Sequence, residues 1–252
     1  MKFDLTLPRA KTWKDAISAI STIIERGDMN INETGLIIRA IDPSHVAMID
    51  FVLPAAIFSE YYVEQETVVG VDFRELGRIM ARAKPTDQLK MSYNSEKNTL
   101  TVTFIENSPR TFNMPLIEAK GSDLKLPTIE GTCSIKLLAE TLKESLKDVD
   151  VVSEYVEFDA NADGLKLIGS GDKGMVSIEL EKTNENMIYL KVDEDVRAVF
   201  STSYLLDMTK AASATDMIIL EFKTNSPLRL SYELQDGGKV LYFLAPKVED
   251  EE

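Results

Sequence analysis

Along most of the chain apolar and polar residues alternate with a period of two, as in LIIRAID, VAMIDFVLP, LKMSY, LTVTF, VEFDA, MVSIELE, MIILEF, LRLSYEL and KVLYFLAP. Successive side chains of a strand point to opposite faces, so this alternation predicts short strands with one buried face, joined by turns. Four segments carry the helical period instead: Trp13, Ala16, Ile17, Ile20, Ile23 and Ile24; Leu76, Ile79, Met80 and Ala83; Ile135, Leu138, Leu142 and Leu146; and Leu205, Met208 and Ala212. They place helices within windows 9–26, 73–84, 134–147 and 201–212, two in each half.

A constant offset relates the halves. Gly35-Leu36 matches Gly164-Leu165, Trp13-Lys14-Asp15 matches Leu142-Lys143-Glu144, and AKPTDQL from Ala83 matches ASATDMI from Ala212, all 129 residues apart. Leu100, Val102 and Phe104 then align with Leu228, Leu230 and Tyr232 at 128. One offset held across helix, turn and strand indicates an internal duplication. The segment IEAKGSDLKLPTIEG, Ile117 to Gly131, has no counterpart in either copy and reads as a linker. The expected division is 1–116, a connector 117–131, and 132–252.

At 252 residues, 44% hydrophobic and 28% charged, the chain is long enough for two folded domains. Its single cysteine, Cys133, excludes an internal disulfide, and with one histidine, His45, no Cys/His zinc site can be assembled. No stretch approaches the roughly 18 apolar residues of a membrane span, and the N-terminus lacks a signal-like apolar run, so an intracellular protein without a membrane partner is expected. The 42 acidic against 28 basic residues give a net charge of −14, which as one number argues against nucleic acid.

Motifs that resemble chemistry have simpler explanations. GSGDKG, Gly169 to Gly174, satisfies a dinucleotide-loop pattern but is followed by an alternating strand, so its glycines are expected to supply positive φ in a hairpin. DANADG, Asp159 to Gly164, resembles half a calcium loop, yet position twelve is Ser170 and the repeat counterpart reads NINETG; an Asn/Asp turn accounts for both. Asp42, Ser44 and His45 have a triad's composition as chain neighbours, whereas triad members meet through the fold. Neither a catalytic residue nor a metal or cofactor is expected, although paired carboxylates of a hydrolase are tested only in space.

Divided by element, the charge takes a different form. The helical windows hold 12 basic and 6 acidic residues, an excess of six positive charges, and the remainder 16 and 36. Arg74, Arg78 and Arg82 recur every four residues, as do Lys143 and Lys147, which stacks them on one helix face. These are solvated faces opposite the apolar stripes, or a basic surface that tracks phosphates without reading bases.

The strings IDPSHVAMIDFVLP from Ile41, SPLRLSYEL from Ser226 and KVLYFLAPKVEDEE from Lys239, with the duplication and its connector, resemble the sliding clamps of the proliferating cell nuclear antigen (PCNA) type over the whole chain. The resemblance implies an α+β fold, the DNA clamp fold: two similar domains of antiparallel sheets with two helices each, three chains joined head to tail in a ring with helices lining the hole. It implies a processivity factor, not an enzyme, and the compact chain favours an archaeal source. Partners implied are duplex DNA, a DNA polymerase, a flap endonuclease, a DNA ligase, the clamp loader replication factor C, and the chain itself as a homotrimer. The location implied is cytoplasmic and nucleoid-associated if archaeal, nuclear if eukaryotic.

Carried over by position, the DNA-facing residues would be Lys11, Lys14, Arg78, Arg82, Lys84, Lys143, Lys147 and Lys210, while Ser21 and Ser203 stand where many relatives are basic. Subunits would join through RTFNMPL (Arg110, Phe112, Met114) and GMVSIEL of the next chain (Met175, Ser177, Glu179). Client proteins would enter an apolar pocket of Ile41, His45, Val46, Met48, Leu124, Leu126, Pro227, Phe243, Ala245 and Pro246, with His45 as a pocket wall or donor. The acidic end, Glu249 to Glu252, reads as a solvated tail. The alternatives are a β-rich scaffold that never encircles DNA, one subunit of a heterotrimeric clamp, or a hydrolase.

Overall fold

The computed structural model describes residues 2–84, 86–121, 124–129, 131–234 and 236–247; the run Glu249 to Glu252 lies outside the described residues. Two compact units are formed, one of Met1–Pro43, Ile49–Lys125 and Leu234–Val240, the other of Ser44–Met48, Leu126–Glu233 and Leu241–Glu252.

The first half of the chain runs β1 (Lys2–Leu7), α1 (Ala10–Ser21), β2 (Arg26–Asn32), β3 (Gly35–Ile41), β4 (Ala47–Pro54), β5 (Glu60–Val63), β6 (Thr67–Asp72), α2 (Phe73–Met80), β7 (Gln88–Asn94), β8 (Thr99–Ile105) and β9 (Arg110–Pro115). One sheet has the order β5-β1-β7-β8-β9, and β4-β3-β2-β6 lie side by side in another. The expected alternation is visible in β8, where Leu100, Val102 and Phe104 are fully buried and the threonines between them are not. α1 turns Trp13, Ala16, Ile17 and Ile20 inward, with the Trp13 ring 6.2 Å from that of Phe51. α2 packs beside α1 through Gly77, where an added Cβ would lie in ordinary contact, 3.6 Å, with Ile17.

The second half repeats the plan: β10 (Cys133–Leu138), α3 (Ala139–Asp150), β11 (Tyr155–Asn161), β12 (Gly164–Gly171), β13 (Gly174–Glu181), β14 (Met187–Val192), β15 (Val196–Ser201), α4 (Thr202–Thr209), β16 (Met217–Phe222), β17 (Leu228–Glu233) and β18 (Lys239–Leu244). Its sheets are β13-β12-β11-β15 and β14-β10-β16-β17-β18. α1 and α3 are 129 apart at both ends, and so are α2 and α4. Phe158, Phe200 and Phe222 meet edge to face, with centroids 5.5 to 6.3 Å apart, at the centre of the second unit.

Both asparagine turns form as expected: Asn32 Oδ1 accepts the Thr34 N–H, and Asn161 Oδ1 the Asp163 N–H, each at 2.9 Å. The GSGDKG segment is the β12–β13 hairpin, but of its glycines only Gly174 has a positive φ, +131°. Gly169 is small for another reason: a Cβ there would stand 2.8 Å from a Val149 methyl of α3.

Every helix is shorter than its window. α1 stops at Ser21, and Ile23 and Ile24 are buried in the turn that follows. The third differs most, because Cys133 to Leu138 form a strand and the helix starts at Ala139. Ile135 and Leu138 have helical spacing by coincidence; Cys133, Ile135 and Leu137 are the buried set, with period two. The stripe that packs α3 is Leu142, Leu146 and Val149.

α2 has a side-chain cap: Asp72 accepts the Glu75 N–H at 3.0 Å and pairs with Arg26 at 3.1 Å. Partial burial pushes the Asp72 carboxyl up, but the Glu75 and Arg74 amides and the Arg26 guanidinium outweigh it and hold the group below its ordinary value. Asp72→Ala is expected to cost about 1 kcal/mol in urea unfolding at neutral pH. Because the folded-state value is the lowered one, this stabilisation is complete above the unfolded-chain value of about 3.9 and fades as pH falls through the folded value. The difference between wild type and variant therefore shrinks in acid; a pH-independent difference would contradict this origin.

Candidate nucleic-acid and partner interfaces

Burial of the apolar stripes leaves the opposite helix faces to polar side chains. Within their observed bounds the four helices carry six basic residues, Lys11, Lys14, Arg74, Arg78, Lys143 and Lys147, and seven acidic ones, Asp15, Glu75, Glu140, Glu144, Asp148, Asp150 and Asp207. The expected excess of positive charge on the helices is thus corrected. It came from flanking residues: Arg26 and Lys136 lie in strands, Arg9 and Lys210 at helix caps, and Arg82 and Lys84 after the end of α2. Meanwhile the last turn of α3 adds Asp148 and Asp150. Nor does the Arg74-Arg78-Arg82 stack run along one helix, since α2 ends at Met80.

The expected DNA-facing cations are exposed, apart from the half-buried Lys143. Most have a local acid. Arg78 pairs with Glu75 at 2.6 Å, Lys147 with Glu144 at 2.6 Å, Lys210 with Asp207 at 3.0 Å, Lys84 with Glu106 at 2.8 Å, and Lys11 with Asp15. Lys14 and Arg82 have no ion pair among the described residues. Lys143 is already engaged: its ammonium donates to the Ala212 carbonyl beyond α4. Burial pushes its pKa down, against the pull of Glu140 and Asp216. Exposed pairs within one helix are weak and readily exchanged for another anion.

The strands expected to join subunits both lie at sheet edges, β9 in the first unit and β13 in the second. Met175, Ser177 and Glu179 are exposed, Met175 by 68%. On β9, Arg110 and Phe112 are half-buried and Met114 is buried. Arg110 is committed within its own chain: it donates to the Arg82 carbonyl at 2.8 Å, pairs with the fully buried Asp87, and lies 5.1 Å from the centre of the Phe104 ring.

Of the expected pocket residues, Ile41 and Leu124 belong to the first unit and His45, Val46, Met48, Leu126, Pro227, Phe243, Ala245 and Pro246 to the second. In the second unit the Ala245 N–H donates to the Val46 carbonyl at 2.9 Å, which brings the DPSHV turn and the LAPK segment together. His45, at φ 57°, and Pro227 are exposed and Leu126 is 38% exposed, whereas Met48 and Phe243 are only 6% and 5% exposed. The motif analysis did not find Asp28 and Arg39, which hold the connector by hydrogen bonds to backbone groups of Lys120, Gly121 and Leu124. Isolated charges on alternating strands carry no sequence signal for that task.

A cleft of about 590 Å³ beside the β11–β12 turn is lined by Asp159, Asp163, Lys166, Glu179, Glu181 and Lys182; it shares Glu179 with the expected subunit edge on β13 and no residue with the helix cations or the expected client pocket. Among the described residues no group of three or more His, Cys, Asp or Glu is placed to hold a metal ion, and no helix is long and apolar enough to cross a membrane.

Two family models match, the proliferating cell nuclear antigen N-terminal domain over residues 2–131 and its C-terminal domain over 125–247. The DNA polymerase sliding clamps of Thermococcus onnurineus and Pyrococcus horikoshii are 36% and 31% identical over 250 residues, 99% of this chain and 100% of each relative. Among solved structures, PCNA from Thermococcus kodakaraensis superposes with a TM-score of 0.92 at 26% identity, covering 97% of this chain and 100% of that one. A. fulgidus PCNA, solved with the C-terminal region of FEN-1 bound, gives 0.89 at 26%, covering 99% and 100%.

The helix ion pairs generate one expectation that does not depend on these likenesses. Glu75→Gln combined with Glu144→Gln should leave the urea midpoint of unfolding unchanged, because exposed intrahelical pairs contribute little. A clear drop in the midpoint would show that these acids hold the helices together rather than merely neutralising their cations.

Proposed function

The chain belongs to the proliferating cell nuclear antigen family, and from that premise we propose that it is a DNA polymerase sliding clamp, three copies of which form a ring around duplex DNA. The observation that carries the reading is the end-to-end match to clamps by a duplicated fold in which β9 of one unit and β13 of the other each lie at the edge of a sheet. An open edge is an aggregation hazard until it is paired, and a head-to-tail contact between different edges must close by rotation or grow a filament. Pairing Arg110, Phe112 and Met114 of one copy with Met175, Ser177 and Glu179 of the next would cover these two edges and bury the Met175 side chain.

Retention on DNA is topological, so the clamp performs no bond chemistry and takes neither metal nor cofactor. Its contacts to phosphate must be weak enough to slide. The cations Lys11, Lys14, Arg78, Arg82, Lys84, Lys147 and Lys210 suit that requirement, since most can exchange a neighbouring carboxylate for a passing phosphate at little net cost. Lys143 is the least free to do so. The acids elsewhere discourage DNA from binding outside the ring.

The clients are a DNA polymerase, a flap endonuclease and a DNA ligase in replication and repair, with replication factor C as the loader. The FEN-1 segment bound to the A. fulgidus relative supports a pocket for client tails, which we assign to Ile41, His45, Val46, Met48, Leu124, Leu126, Pro227, Phe243, Ala245 and Pro246. The division into domains 1–116 and 132–252 with a connector at 117–131 belongs to the same reading. So does a cytoplasmic location in an archaeal cell.

Light scattering at micromolar concentration should give three chains of 28.2 kDa, about 85 kDa in all. A strict monomer sinks the homotrimer, and a monomer that assembles only with a related chain points to a mixed ring. Replacing Lys14, Arg78, Arg82 and Lys147 with Ala should leave the mass unchanged but reduce retention on closed circular DNA. The slope of log affinity against log salt should fall by up to about 0.9 for each phosphate that the variant no longer neutralises. Wild-type retention and slope in that variant would remove the helices from the DNA interface.

A further inference from the structure

Of the connector's described residues between Ile117 and Lys125 none lies in a helix or a named strand, and Ile117 makes only an isolated bridge, yet the first unit holds this segment at three places. β2 pairs with β6 so that Asp28 stands opposite Gly70 and Asn30 opposite Val68. Met29 and Ile31 are fully buried, which by the alternation of a strand turns Asp28 to the outer face.

The first hold is at Gly70, whose carbonyl accepts the Ile117 N–H at 3.1 Å. A Cβ on Gly70 would stand 2.6 Å from the Ile117 oxygen and 2.8 Å from the Glu118 oxygen, so only glycine admits the chain this close. The second is Asp28, whose two carboxylate oxygens accept the Lys120 and Gly121 N–H groups at 3.1 and 2.7 Å. Gly121 has a φ of +63°, a left-handed conformation that favours glycine. The third is Arg39: its Nε donates to Asp50 at 2.7 Å and its Nη1 to the Leu124 carbonyl at 2.8 Å. Asp50 is only 7% exposed, so the guanidinium is set from below and its outer arm is aimed at the connector.

None of these groups serves the helix cations or the edge strands. We infer that Asp28 and Arg39 are positioning residues for client binding: they fix the connector in the form a client tail meets and thereby raise the affinity. The inference rests on the client pocket proposed above, to which the connector supplies Leu124 and Leu126. A segment ordered beforehand loses less conformational freedom on binding than one that must be ordered by the ligand.

The test uses the full-length clamp and a synthetic peptide of the FEN-1 C-terminal region, with affinity from titration calorimetry and amide hydrogen exchange at Lys120 and Gly121. Asp28→Ala is expected to speed exchange at both amides and weaken the peptide about tenfold, within the range of ordinary coupling energies. Asp28→Asn, which keeps one of the two acceptor oxygens and turns an amide donor toward the other N–H, should recover part of the affinity and the protection of one of the two amides. A merely structural role would not give that recovery together with exchange changes confined to the connector. Gly121→Ala, which opposes the positive φ without touching the sheet, should reproduce the loss and serves if Asp28→Ala does not fold.

Leu126→Ala separates the two readings, since it removes a pocket side chain and leaves the Lys120 and Gly121 amides protected. Weakened binding in Leu126→Ala, with wild-type affinity but fast exchange in Asp28→Ala, overturns the positioning role and keeps the pocket. Wild-type affinity in Leu126→Ala overturns the pocket itself. Unchanged exchange in both Asp28→Ala and Gly121→Ala overturns the hold on the connector.

Discussion

Burial of one apolar stripe on each helix is the constraint from which the remaining features follow. Trp13, Ile17 and Ile20 on α1 and Leu142, Leu146 and Val149 on α3 are at most 1% exposed. Each large side chain of this kind contributes about 1.5–3 kcal/mol relative to exposure, more than an exposed ion pair provides. The helices therefore cannot rotate to satisfy their charges. Lys14, Arg78 and Lys147 face solvent because of where Trp13, Leu76 and Leu146 must go. Of these, Arg78 and Lys147 are held by weak local pairs with Glu75 and Glu144, which is the condition under which a phosphate can replace a carboxylate and be released again.

The sheets impose a second constraint, because an antiparallel sheet ends in strands whose outward backbone groups have no partner in it. β9 and β13 meet that condition differently. β13 keeps its outward side chains exposed, with Met175 prominent among them. β9 is tied back at its first residue, where Arg110 joins the buried Asp87 to the end of α2. Because Asp87 is fully buried, removing Arg110 would leave its carboxylate without this partner, so Arg110 fixes the start of the edge whether or not another chain lies against it. The connector obeys the same logic as a loop: its described residues make one isolated bridge, and backbone groups of Ile117, Lys120, Gly121 and Leu124 are satisfied one at a time by Gly70, Asp28 and Arg39.

How much was legible varied with the physical origin of each feature. The duplication and the asparagine turns at Asn32 and Asn161 are local or periodic properties, and the structure places them where the pattern does; the strands from Arg110 and Gly174 were expected from the family resemblance, and both lie at sheet edges. Helix bounds were less legible. Ile135 and Leu138 satisfy a helical spacing inside a strand, because a stripe of period 3.6 and an alternation of period two share positions over a short run. That ambiguity moved the third helix window by several residues. With it went the apparent positive charge of the helices, which proved to belong to their caps, to adjoining strands and to the turn after α2.

The sequence alone determined the family, the two-fold repetition and the identity of the buried faces, since these depend on which residue types recur at which intervals. Only the tertiary structure decided which charges are free. Whether Lys143 points to solvent or donates to Ala212, or whether Asp28 is one more surface acid or the acceptor for the Lys120 and Gly121 amides, depends on groups 69 and 92 or more residues away in the chain. Hydrophobic patterning acts over a few residues and can be read from the chain. A hydrogen bond requires two groups within about 3 Å, and for residues so far apart in sequence that condition exists only after the sheets and helices have packed.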